Sequence, residues 1–146
     1  MVQVTRILTT ISCLACLLAC KPMKDFPQND PHDQIHFGQG GGFTGMVTYF
    51  ILLEDGRLFQ RALQDSSYTL VDTWKQDFTT QMFSSYEALQ LDHVDLLEPG
   101  DLYYFIEYRP KDAPPHRIVW GRPGHAPDEN ISRYYNLLFK STKSKS

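Results

Sequence analysis

Beyond residue 20 the sequence contains no cysteine; Cys13, Cys16 and Cys20 are the only ones. The rest of the chain therefore has no disulfide, no free thiol and no thiolate metal site, and a packed core must hold it. Also missing is any apolar run of the roughly 20 residues that a membrane-spanning helix needs. Acidic residues slightly outnumber basic ones, 17 to 14. The net charge is −3, and no Lys/Arg-rich helix or basic patch precedes the C-terminal tail. Nucleic acid is accordingly not an expected partner. Catalytic spacings are absent as well: the chain has no G-x-S-x-G and no H-E-x-x-H, and Ser66, Ser67, Ser84 and Ser85 have no flanking motif. Hydrolysis needs a nucleophile with its base, or a recognisable carboxylate pair. An enzyme is not expected, nor is a cofactor or a bound metal.

What is present begins at the N-terminus. Arg6 precedes a mostly apolar stretch over residues 7–19, which ends against Cys20. A positive start and a short apolar region are the layout of a removable export signal. The Cys13–Cys16 pair has C-x-x-C spacing, a redox or metal pattern elsewhere, but it would leave with the signal. Leu17-Leu18-Ala19-Cys20 resembles the lipobox of bacterial lipoproteins. That resemblance implies cleavage before Cys20 and lipid on its thiol. It places the protein in the cell envelope, anchored through acyl chains, with the outer membrane as the expected site. More than one acyl chain gives stable anchoring, where a single chain is marginal. The expected organisation is a signal over 1–19, a proline-containing tether over 20–34, one domain over 35–139 and a polar tail over 140–146.

Within the domain, alternation over residues 34–37 predicts a short strand, followed by a glycine-rich turn over 38–45. Residues 46–53 are β-branched and aromatic and apolar on both faces, as in a central strand. Asp55-Gly56 supplies the positive φ of a tight hairpin, and 57–61 is the returning strand. Val71, Trp74, Phe78, Met82, Tyr86 and Leu89 recur at three and four, predicting a helix over 71–89. An acidic loop over 92–101 leads to an aromatic strand over 102–108. A proline-containing turn connects it to a strand over 116–120. Asp128 is placed to cap a last helix reaching residue 139. The order predicts an α+β fold: an antiparallel sheet of about 4–5 strands with two helices packed on one face.

Two small clusters, Asp30/His32/Asp33 and Asp92/His93/Asp95, combine imidazole with carboxylate, but they have no ligand geometry and read as solvated surface. Residues 40–45 formally match G-x-G-x-x-G. The dinucleotide fingerprint requires a helix after it, so that phosphate meets the helix N-terminus; here a strand follows. The kinase form of the pattern lacks its partner motifs. No nucleotide is expected. The segment is still richer in glycine than one turn requires, and each glycine costs entropy on folding. Phe43 amid bare backbone suits docking against another protein. Gly41, Gly42, Phe43, Thr44 and Gly45 are therefore the candidate partner-binding residues.

Gly41-Gly42-Phe43-Thr44-Gly45, between two strands, resembles the signature of emfourin-type inhibitors of thermolysin-like metalloproteases. Residues 103–108, 118–120 and 135–138 match the later landmarks of that family in order. The resemblance implies a small non-enzymatic inhibitor whose loop enters a protease cleft. Taken together, these features read as a lipid-anchored protein-binding module. The alternatives are a structural or assembly lipoprotein of an outer-membrane complex and, last, a small envelope hydrolase.

Overall fold

The computed structural model describes residues 27–62 and 67–143. The export signal, Cys20 and the first part of the tether lie outside the described residues. Six strands and two helices are present among the described residues. They are β1 (Gln34–Gly41), β2 (Val47–Leu53), β3 (Arg57–Arg61), β4 (Tyr68–Thr73), α1 (Gln76–Ala88), β5 (Leu102–Arg109), β6 (His116–Trp120) and α2 (Glu129–Ser141). All strands form one antiparallel sheet in the order β4-β3-β2-β1-β5-β6. The α+β class is as expected, but the sheet has one or two strands more than the sequence suggested.

The difference in count comes from β4. Residues 68–73 form an edge strand rather than the first turn of the helix, so Val71 is not part of the helical stripe. Tyr-Thr-Leu-Val-Asp-Thr is rich in β-branched residues, and a strand partner is available in β3. The register slips between Leu58 and Phe59, a bulge that sets Val71 out of the ladder. Helix α1 begins only after Trp74, whose ring packs on Phe78. A second departure, which leaves the strand count unchanged, is the length of β1. The strand continues through the expected glycine turn to Gly41 because it is paired on both sides, with β2 and with β5.

One face of the sheet carries the main core. Cross-strand register aligns Ile35 with Leu52 and Tyr108, and Phe37 with Phe50 and Ile106. Leu58, Ile118, Tyr104 and Trp120 extend this apolar face, on which Met82 and Tyr86 of α1 and Ile131, Tyr134, Tyr135 and Leu138 of α2 pack. The hydroxyl of Tyr134 donates to the Met82 carbonyl at 3.0 Å and ties the helices together. Asp128 caps α2 by accepting from the Asn130 N–H at 2.8 Å, so the predicted cap forms. The helix runs two residues further than expected, to Ser141.

The edge strands are treated differently. Residues 96–98 run beside β6: the Val119 N–H donates to the Leu96 carbonyl, and the Glu98 N–H donates to the Val119 carbonyl. Part of the predicted acidic loop thus covers an edge that would otherwise offer unpaired backbone groups. Pro27 to Asp33, assigned by sequence to the tether, is bound into the domain. The Asp33 carboxylate accepts from the Tyr108 hydroxyl at 2.6 Å and from the Lys111 N–H at 2.9 Å. Asp30 accepts from Arg57 at 2.6 Å. Asp30 and Asp33 thus pack against the folded domain, because their carboxylates find fixed donors on β3, β5 and the turn after β5.

Candidate functional site

The glycine segment divides into two parts with different physical reasons. Gly38 and Gly40 lie in β1, opposite Tyr49 and Val47 of β2 and Phe105 and Tyr103 of β5. A Cβ on Gly40 would stand 2.6 Å from the Tyr103 hydroxyl, so the tyrosine occupies the space a side chain would fill. Gly41 closes the strand with φ +91°, and a Cβ there would stand 2.0 Å from the Asp101 carbonyl. No L side chain fits that backbone without a shift. Gly42 and Gly45 also take positive φ, in a turn closed by the Gly45 N–H donating to the Gly42 carbonyl at 3.1 Å. The Gly42 N–H donates to the Asp101 carbonyl at 2.7 Å, which pins the turn to the start of β5. Much of the glycine content is thus accounted for by packing and turn geometry.

Phe43 has no such account. Its relative exposure is 109%, with Met46 at 57% and Leu102 at 44% near the same end of the sheet. Thr44 is exposed beside it. The structure places Gly41 at the end of β1 and Gly42, Phe43, Thr44 and Gly45 in the turn that follows, and among the five only Phe43 presents a large apolar surface. The turn lies at the opposite end of β1 from Gln34, where the chain enters the sheet. Eight residues of strand separate the two ends by about 25 Å.

The other sequence candidates fall elsewhere. Asp30 and His32 bond each other, and the second oxygen of Asp30 is held by Arg57. Among the described residues, no three His, Cys, Asp or Glu side chains converge as metal ligands. In the aromatic strand, Tyr104, Ile106 and Tyr108 face the helices. On the opposite face, Phe105 is buried beside Tyr49 at 5.1 Å between ring centroids.

That opposite face also holds a polar group that sequence reading missed. His36 is fully buried, its Nδ1 2.6 Å from the Tyr49 hydroxyl and its Nε2 2.7 Å from Gln34 Oε1. Gln34 Oε1 can only accept, so Nε2 carries the proton and Nδ1 accepts from the tyrosine: a neutral imidazole, satisfied at both ends. Burial, aided by Arg109 nearby, pushes its pKa down to about 3. Next to it Glu107 is 4% exposed and bonded to both Arg109 and Arg117. Burial pushes the Glu107 carboxyl up, but the two arginine hydrogen bonds outweigh it and hold the pKa below the ordinary range. The available signal was the i, i+2 spacing of Glu107 and Arg109 on a strand, which puts them on one face. Arg117 joins only through the β5–β6 register, where it pairs with Glu107.

Comparison with known proteins found no matching family model and no matching curated relative. The resemblances to lipoproteins and to emfourin-type inhibitors therefore rest on the quoted residues.

Proposed function

We propose that this chain is a lipid-anchored, non-enzymatic protein-binding module of the bacterial cell envelope. Its anchor is Cys20, and its contact site is the turn at Gly41, Gly42, Phe43, Thr44 and Gly45. The single observation that carries the contact site is Phe43, a fully exposed phenylalanine on a turn pinned to a two-sided central strand. A rigidly presented aromatic loses little entropy on docking and supplies a large buried area. The turn lies about 25 Å along β1 from the chain entry. The turn is thus at the end of β1 remote from the segment that leads back to Cys20, which favours a protein partner over the bilayer itself.

Inhibition of a thermolysin-like metalloprotease is the most specific form of this proposal, and the Gly-Gly-Phe-Thr-Gly turn supports it. The test uses the mature chain in detergent, wild type and Phe43→Ala. Each is used to capture proteins from solubilised envelope and is assayed for inhibition of a thermolysin-like protease. Loss of the Phe43 ring from a filled pocket removes about 2 kcal/mol, roughly a thirtyfold weakening. Capture or inhibition that is equal in both proteins sinks the contact site. Acyl chains on Cys20 are read separately, by mass spectrometry of the mature protein.

A further inference from the structure

The sheet face turned away from the helices carries a row of residues from β3 to β6: Phe59, Ile51, His36, Glu107, Arg117. In the next row, Leu53, Gln34 and Arg109 are aligned. Arg109 and Arg117 are therefore diagonal neighbours, and both converge on Glu107. Oε1 of Glu107 accepts from Arg109 Nε, and Oε2 accepts from Arg117 Nη1 at 2.8 Å. Each guanidinium spends one N–H on the carboxylate out of the five it carries. Among the described residues, neither has a further hydrogen-bond acceptor. Their side chains remain 41% and 39% exposed. Arg117 is further held over the Phe105 ring, 4.5 Å from its centroid.

Neutralising a buried carboxylate requires one arginine. Here there are two, so the group keeps one net positive charge, with the leftover donors of two planar forks on partly exposed side chains that share a fixed base. Planar guanidinium forks match the oxygens of phosphate bidentately, which a lysine cannot do.

We propose that Arg109 and Arg117 form a receptor for a phosphate group, with Glu107 as the positioning residue that holds the two forks side by side. The net charge of +1 matches a phosphodiester. Gln34 pairs with Arg109, so the receptor lies at the end of β1 where the chain enters. The lipid headgroup as source rests on the anchoring proposed above. The few residues between Cys20 and Pro27 reach at most about 25 Å, so membrane phosphodiesters are within range of this end of the sheet.

The experiment titrates the full mature chain in nonionic detergent and follows the Nε–H resonances of Arg109 and Arg117. Two probes are used: inorganic phosphate, and dihexanoyl phosphatidylglycerol below its micellar concentration. Arg133, which is exposed and paired with Glu129, serves as the control resonance. Both receptor resonances are expected to move together and saturate, while Arg133 stays still. Arg117→Lys keeps the charge opposite Glu107 and so preserves the fold, which an unchanged Tm verifies. It loses the fork, and binding is expected to weaken about tenfold. Saturation by the lipid alone assigns the headgroup as source; equal saturation by both probes assigns free phosphate. Shifts no larger than those of Arg133, or an affinity unchanged by Arg117→Lys, overturn the proposal. An unmodified Cys20 in the same sample removes the headgroup source and the anchoring, while the inorganic phosphate titration still decides the receptor.

Discussion

Lowering the pH from 7 to 5 is expected to destabilise this fold by about 2 kcal/mol through His36 alone. The imidazole is fully buried, and both of its nitrogens are satisfied in the neutral state. Protonation would place a second N–H against the Tyr49 hydroxyl and leave a charge beside Arg109. The folded-state pKa is accordingly about 3, against 6.5 for an unperturbed histidine. The sign follows from which state binds the proton. Below pH 6.5 the unfolded chain takes up a proton at this residue and the folded chain does not. Stability is therefore complete above the unfolded pKa and is lost as the pH falls from 6.5 toward 3. At pH 5 the unfolded residue is almost fully protonated, which gives the figure of about 2 kcal/mol relative to pH 7. The carboxylates with lowered pKa, Asp30 and Glu107, add their own acid sensitivity at lower pH. The assay is urea denaturation at pH 7 and pH 5 for the wild type and for His36→Gln, which retains polar atoms but cannot titrate. The wild type is expected to lose about 2 kcal/mol more than the variant over this interval. Equal losses in the two proteins would refute the reasoning, because the buried imidazole would then not be what couples folding to protons.

Three further outcomes follow from the packing. Phe43→Ala removes a side chain that buries nothing, so urea denaturation is expected to show a stability change within about 0.5 kcal/mol even where partner capture is lost. Gly40→Val drives a branched side chain into the space of the Tyr103 ring and is expected to cost about 1–3 kcal/mol, read as a lower Tm. Ile106→Ala opens a cavity in a fully buried position between the sheet and the helices, and about 2–5 kcal/mol is expected from denaturation midpoints.

Local signals sufficed where a residue's conformation depends on its immediate neighbours. Asp55-Gly56 makes its hairpin: Gly56 takes φ +91°, and its N–H donates to the Leu53 carbonyl. Asp128 caps α2, and Ile131, Tyr134, Tyr135 and Leu138 form its buried stripe. The alternation of β5 puts Tyr104, Ile106 and Tyr108 on the helices. Gly42 to Gly45 form an exposed turn where the glycines point to one, because glycine and positive φ go together, while Gly38 to Gly41 of the expected turn lie in β1.

Tertiary structure decided the rest. Gly38 and Gly40 have poor strand propensity, yet they lie in the central strand, because β2 and β5 supply backbone partners on both sides and Tyr103 fills the space above Gly40. The segment 68–73 could extend a helical stripe or pair with a neighbour. The open edge of β3 settled the choice, and with it the strand count. Glu107, Arg109 and Arg117 became one charged group only when β5 and β6 took their register. The sequence by itself determined the helix stripe and cap of α2, the turn chemistry and the strand alternation of β5, since these depend on residues a few positions apart. Which strands were neighbours, which glycines were covered and which charges met are long-range facts, and only the assembled sheet decided them.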